Sequence, residues 1–346
     1  MFPCNRKTII ILCLLVWMAA TTGYSRNLLP ATLQGPSFSN PEQTASKPEA
    51  WQQQPIRYNE PDRGAEVVVL LDQNNYPGLL PLIQGYARKH QLSIVVREGT
   101  CGPAIEGLHR KEVDIGGSCC PPANMDRLPG LSWHTIGIAP LAILANSDDP
   151  IDQLSKEEVR AIFRGYWTRW SQVPSIGHRF EKNTPIQPII RFHCKTRPGH
   201  WRLILDNKDL FSTSANEVGS ILDMVANIAK RRGTLGYEEN WQTINHPRFK
   251  ESVKAIAVDG QAPQNRQALL EAKYPFYFTY NLSTWTAPST TNAKAAQLVQ
   301  YLIEHAGEID PSFHVIPAAE LKKQGWQFKG DELIGEPPWA TAPARP

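Results

Sequence analysis

LSIVVREGT-CGPAIEGLHR-KEVDIGGSCC, residues 92–120, is the stretch that decides the fold. Residues 92–97 (LSIVVR) are a short run rich in β-branched side chains and read as a strand. The turn Gly99-Thr100-Cys101-Gly102-Pro103 interrupts it and opens a short helix over 104–111. Proline suits the first helical position, because the N–H it lacks has no partner there. Val113-Asp114-Ile115-Gly116-Gly117 reads as the next strand and runs into the loop Ser118-Cys119-Cys120-Pro121-Pro122.

The same alternation continues on both sides. Upstream, residues 65–71 (AEVVVLL) read as a strand, and Leu79, Leu82, Ile83 and Tyr86 fall at helical spacing over Tyr76–His90. Downstream lies a long apolar run, 136–144. A helix then opens at Ser155, whose pairing with Glu158 has the form of a capping box. Val159, Ile162 and Phe163 form its apolar face, and Trp167 and Trp170 beyond it read as core. Met125, after the cysteine pair, also reads as packing. Further strands are expected at 186–192, 234–237, Val253–Val258 and 276–281, with helices near 199–207, 216–230 and 293–305. Strands alternating with helices argue an α/β protein with mostly parallel pairing, whose ligand sits at the carboxyl ends of strands.

Length and charge set the outer bounds. The chain has 346 residues, enough for two lobes, and 36 Lys+Arg against 33 Asp+Glu give a net charge of +3. No Lys/Arg stripe accompanies it, so no nucleic-acid partner is expected. No run of 18 or more apolar residues occurs, which excludes a multispanning membrane protein. Residues 1–25 read as a secretory signal, with Arg6 and Lys7 ahead of the apolar IIILCLLVWMAA; an uncleaved anchor is the alternative. A periplasmic or secreted location follows. Residues 26–63, rich in Pro, Gln, Ser and Asn, read as a flexible linker, and 333–346 as a Pro-rich tail.

Four segments resemble the periplasmic phosphate-binding protein family of ABC transporters. Gly99-Thr100-Cys101-Gly102-Pro103 with Val113-Asp114-Ile115-Gly116-Gly117 is similar to its glycine-rich turn and V-D-I strand. Leu154-Ser155…Ile162-Phe163-x-Gly165…Trp170-Ser171-x-Val173 resembles its L-S-x-E…I-F-x-G…W-S-x-V segment. Gly236-Tyr237 looks like its I-G-Y strand, and Val253-Lys254-Ala255…Asp259-Gly260…Pro263 with Tyr274-Pro275 like its V-K…Y-P segment. The resemblance implies a type II periplasmic binding protein. It would have two lobes, each a mixed sheet flanked by helices, with a hinge between them. Residues 64–145 and 262–332 would form lobe 1 and 146–261 lobe 2. It also implies a monomeric solute binder that does no chemistry and needs no cofactor, with an ABC permease or a membrane sensor kinase as partner.

The chain departs from that family where the ligand would bind. Aligned without gaps, Cys101 falls on the first phosphate-contacting Ser, and Cys120 on the polar residue after the V-D-I strand, with Cys119 before it. In the stretch 191–200 (RFHCKTRPGH), placing Gly199 on the family's Gly puts Cys194 on the phosphate-clamping Arg and His200 on its Thr. A shift of alignment puts Arg191 or Arg197 in the clamp instead. Phosphate is held by hydroxyls, backbone N–H groups and a bidentate Arg, whereas thiols prefer soft acceptors. The expected ligand is therefore a small oxyanion or a thiophilic metal or metalloid, arsenite favoured. Cys101, Cys120 and Cys194 would coordinate it, and Cys119, Thr100, Gly102, Ser118, Tyr76, Arg197 and His200 would line the cleft. His193 is a further candidate ligand, and Asn74 and Asn75 sit where the family binds phosphate.

Two other readings stay open. An even number of extracytoplasmic cysteines suits disulfides, Cys101 with Cys119 or Cys120, in a conventional phosphate binder that keeps Thr100, Ser118 and Arg197 as donors. A thiol-dependent enzyme is the remote alternative, with Cys194 beside His193 or His200. No G-x-S-x-G, H-E-x-x-H or P-loop motif supports it.

Overall fold

The short apolar strands of the chain assemble into two six-stranded sheets. The computed structural model describes residues 38–192, 199–239 and 241–340. Its strands are β1 (Val67–Asp72), β2 (Ile94–Gly99), β3 (Ile115–Ser118), β4 (Leu131–Pro140), β5 (Ala142–Asn146), β6 (Gln153–Leu154), β7 (Gln187–Ile190), β8 (Asn216–Glu217), β9 (Thr234–Glu238), β10 (Val253–Val258), β11 (Tyr277–Trp285), β12 (Ile316–Pro317), β13 (Gln327–Lys329) and β14 (Glu332–Gly335). The first sheet has the order β12-β4-β11-β3-β1-β2, the second β6-β10-β5-β9-β7-β8, and β13 pairs with β14 in a small hairpin.

The apolar run 136–144 is not one strand. It breaks at Leu141, where the chain leaves the first sheet for the second. It returns after β10 through Tyr274 and Phe276. The two crossings are tied together: Leu141 N donates to Phe276 O at 3.1 Å, and the Tyr274 hydroxyl donates to Leu141 O at 2.8 Å. These crossovers make the pairing evenly mixed rather than mostly parallel. In the two sheets, five strand pairs are parallel and five antiparallel. A strand entering a sheet directly from the other lobe needs no helical crossover, so it is free to run antiparallel.

Each lobe buries both faces of its sheet. In the first, Val67, Val69 and Leu71 pack with Leu79, Ile83, Leu298 and Leu302 from helices Tyr76–His90 and Ala293–Glu304, while Val68 faces Ile105, Leu108, Trp133 and Trp285. In the second, Ala142 and Leu144 join Met224, Val225 and Ile228, and the alternate residues Ile143 and Ala145 join Val159, Ile162, Phe163 and Trp170. Period-two alternation puts successive side chains on opposite faces, and each fully buried Leu, Ile or Phe contributes about 1.5–3 kcal/mol. Met125, expected to pack, is instead 57% exposed.

The capping box forms as read. Ser155 Oγ accepts from Glu158 N at 3.1 Å, and Glu158 Oε2 accepts from Ser155 N at 2.9 Å. Ser155→Ala is expected to cost about 1 kcal/mol, measured by urea unfolding; an unchanged midpoint would show that the cap adds nothing here.

Three of the expected boundaries move. Residues 142–145, expected in lobe 1, lie in β5 of the second sheet, because the chain crosses at Leu141. Of the segment expected to be a flexible linker, residues 38–63 are strapped to the first lobe. Trp51 Nε1 donates to His109 O at 2.9 Å, Tyr58 donates to Asp114 Oδ2 at 2.6 Å, and the Lys111 ammonium sits 4.3 Å over the Trp51 ring. At the other end, the Pro-rich tail begins later than 333, because Leu333 is buried in β14 and Glu336 accepts from the Tyr277 hydroxyl at 2.7 Å. Residues 1–37, which include the expected signal segment, lie outside the described residues. Among the described residues, no helix is long and apolar enough to cross a membrane.

Candidate functional site

Small residues bring the first lobe's cysteines together. Gly116 and Gly117 sit in β3 beneath helix Cys101–His109. A Cβ at Gly116 would lie 2.6 Å from Leu108 Cδ1, and one at Gly117 would lie 2.6 Å from Leu71 Cδ2. The bare Gly116 lets the helix settle onto the strand, while Gly117, on the other face, makes room for Leu71; the helix's first residue, Cys101, then meets the residues just past the strand's end. The Sγ atoms of Cys101 and Cys119 are 3.2 Å apart, and those of Cys119 and Cys120 are 3.8 Å apart. Both separations exceed the S–S bond of about 2.05 Å, so the geometry is that of adjacent thiols. The three Sγ atoms lie within 4.8 Å of one another. Cys101 occupies a helix N-terminus, where exposed N–H groups favour a thiolate.

The loop that carries Cys119 and Cys120 is braced rather than free. Ser118 Oγ and Asn281 Nδ2 donate to Cys120 O at 2.9 and 2.8 Å, and Thr279 N donates to Cys119 O at 3.0 Å. Ser118 thus serves the loop with its hydroxyl. Thr100 is the N-cap residue of the cysteine-bearing helix and makes no side-chain capping bond; Gly102 lies in that helix's first turn. Tyr76 opens helix Tyr76–His90 and is half-buried against the first lobe's core.

The second lobe supplies the opposite wall. His200 Nδ1 lies 3.6 Å from Cys119 Sγ, and His200 Nε2 lies 2.8 Å from Glu239 Oε2. Arg191, just past β7, is only 1% exposed and donates to both carboxylate oxygens of Glu238 at 2.9 Å. Across the cleft, Asn74 Nδ2 donates to Glu239 Oε1 at 2.5 Å. One ligand atom each of Cys119, His200 and Glu239 also lie within 4.8 Å of one another. Cys194 and Arg197, expected in the cleft, and His193 lie outside the described residues.

Sequence reasoning missed Asp72, Glu238 and Glu239. Their signal is visible afterwards: an Asp closing an apolar strand, and two consecutive Glu residues following the buried Gly236-Tyr237.

Burial makes this cleft electrostatically sensitive. Burial pushes the Asp72 carboxyl up to about 7. Burial alone would lower His200, but the Glu239 carboxylate outweighs it and holds the imidazole up at about 10. Burial also raises Glu238, with Arg191 opposing. All three shifts favour the protonated folded state. The His200 contribution is therefore fully present below the ordinary imidazole range and is lost as pH rises through about 10. The Asp72 contribution is present below the ordinary carboxylate range and is lost as pH rises through about 7. Stability is expected to fall from pH 5 to pH 10, and His200→Gln is expected to flatten the alkaline limb. Melting curves across that range check this, and an alkaline limb unchanged in His200→Gln would refute it.

A family model described as a PBP superfamily domain matches residues 57–305. The chain belongs to the PBP superfamily. Among solved structures it is similar to an ABC-type phosphate transport receptor from Vibrio cholerae, at 18% identity and a TM-score of 0.58, over 72% of this chain and 99% of that one. It is also similar to a protein described as a phosphate ABC transporter substrate-binding protein, with bound phosphate, from Clostridium perfringens. There the identity is 16% and the TM-score 0.58, over 72% of this chain and 98% of that one. At such identities the likeness establishes the two-lobed periplasmic binding protein fold of this PBP superfamily member, with its cleft between the two sheets.

Proposed function

We propose that this PBP superfamily protein is an extracytoplasmic solute-binding protein that captures a small thiophilic metal or metalloid, arsenite favoured, between its lobes. It serves transport through an ABC permease or signalling through a membrane sensor kinase, and it catalyses no reaction. One observation carries the reading: three buried thiols, Cys101, Cys119 and Cys120, lie within 4.8 Å of one another at the strand ends where this fold binds ligands. Soft acceptors bind such a set strongly. As(OH)3 forms an As–S bond with each thiol it meets, and each displaced hydroxyl leaves as water with the thiol's proton. His200, reaching from the second lobe to Cys119, would close the protein over the bound ligand. Cys194 is the proposed fourth thiol and Arg197 a rim donor.

Phosphate is the competing ligand, because the similar structures are described as phosphate receptors. Against it stands the engagement of the buried cations: Arg191 is bonded to both oxygens of Glu238 and keeps only Nη1 without a partner, and His200 is paired with Glu239. Native mass spectrometry on the reduced full chain, with arsenite and with phosphate, tests the reading. A one-to-one arsenic adduct that loses one water per As–S bond is expected. Phosphate retention without an arsenic adduct would overturn the reading.

A further inference from the structure

We propose that the cleft takes its cargo as an uncharged hydroxylated species and leaves one hydroxyl in place, held by Asp72, Asn74 and Asn75. This rests on the thiol-capture reading above and adds a second set of binding groups to it. The three residues close β1 and lead into helix Tyr76–His90, and they are 1%, 2% and 0% exposed.

Each has already used part of its hydrogen-bonding capacity. Asp72 Oδ1 accepts from Asn74 N at 2.9 Å and from Asn75 N at 3.4 Å. Asn74 donates its amide to Glu239 across the cleft, and Asn75 donates its amide to Ser118 O at 3.0 Å. These bonds fix both amide orientations, because a flip would set a carbonyl oxygen against an acceptor. What remains is Asp72 Oδ2, Asn74 Oδ1 and Asn75 Oδ1, three buried oxygens that no donor reaches among the described residues.

Buried acceptors call for donors, and this cluster adjoins the thiols. Asn75 is bonded to Ser118, next to Cys119, and Asn74 is bonded to Glu239, one of whose oxygens lies within 4.8 Å of the Cys119 sulfur. A bare oxyanion would bring more acceptors to acceptors. An O–H group brings the donor the cluster lacks. For As(OH)3 the balanced step is capture by two thiols. Two As–S bonds form, two As–O bonds break, and two waters leave with the two thiol protons. Arsenic keeps its oxidation state, and the product (RS)2As–OH still has one O–H to donate to Asp72. Asp72, Asn74 and Asn75 therefore select protonation state, while the cysteines select softness.

The test uses the reduced full chain with arsenite and with methylarsonous acid, CH3As(OH)2, as probes. X-ray absorption at the arsenic edge is expected to show two sulfurs and one oxygen, and native mass spectrometry an adduct lighter than protein plus As(OH)3 by two waters. Asp72→Asn, which keeps shape and replaces an acceptor oxygen by an NH2 donor, is expected to weaken arsenite about tenfold, the scale of a lost hydrogen bond between buried groups. It should leave methylarsonous acid unchanged, since that ligand bound to two thiols has no hydroxyl left. Three sulfurs and no oxygen, or equal effects of Asp72→Asn on both probes, would overturn hydroxyl retention while thiol capture stands. No arsenic bound at all would overturn both.

Discussion

Replacing Cys119 by serine is expected to weaken capture of a thiophilic ligand by at least about 100-fold, equivalent to about 2.7 kcal/mol. Cys119 is the middle member of the thiol set, 3.2 Å from Cys101, 3.8 Å from Cys120 and 3.6 Å from His200. A hydroxyl in its place still bonds to the imidazole, so the lobes should still meet. A soft acceptor, however, loses its central sulfur and keeps only the two outer ones. Cys101→Ser should behave similarly, because it removes a thiol whose thiolate is favoured by a helix N-terminus. Titration with arsenite, followed by intrinsic tryptophan fluorescence, measures both variants, and their melting temperatures report folding. Unchanged affinity in a folded Cys119→Ser protein would sink thiol capture.

Arg191→Met is expected to destabilise the protein by about 3–5 kcal/mol, the usual cost of removing one partner of a buried ion pair. Arg191 and Glu238 are 1% and 0% exposed, and the guanidinium also lies 3.4 Å from Glu239. Without it, Glu238 is left as an unpaired buried carboxylate beside Glu239, whose own partner is His200. Glu238 must then take up a proton, so the variant should lose least stability at low pH and most at high pH. Adding Glu238→Gln should recover part of the loss, since the second substitution removes the stranded charge. Urea unfolding of the single and double variants at pH 5 and pH 8 provides the check. A loss independent of pH would mean that packing, not charge, sets the role of Arg191.

Much of the fold was legible along the chain because local signals agreed with the final packing. The helix Tyr76–His90 and the strand Val253–Val258 appear with the bounds their periodicity implies. The Ser155 cap needs only four consecutive residues, so nothing distant can overrule it. The run 136–144 could not be divided from its composition. A strand ending in one sheet and a strand starting in another share the same apolar composition, and only the hydrogen bonds between Leu141, Tyr274 and Phe276 mark the crossing. Residues 38–63 carry a disordered composition, yet Trp51 and Tyr58 bind partners around residues 109–114 that local pattern cannot reveal.

The candidate site divides in the same way. Pattern along the chain carries the α/β alternation, the glycine-rich turn that opens a helix, and the presence of Cys101, Cys119, Cys120 and His200 among the ligand candidates. These are chemical identities and short spacings, carried by the chain wherever it goes. Tertiary structure alone decided that the three sulfurs converge, that His200 reaches them from the other lobe, and that Glu238, Glu239 and Asp72 are buried beside them. Convergence depends on distances between strand ends far apart in sequence, and the charge state of a buried group depends on what surrounds it. Neither quantity is a property of any one segment.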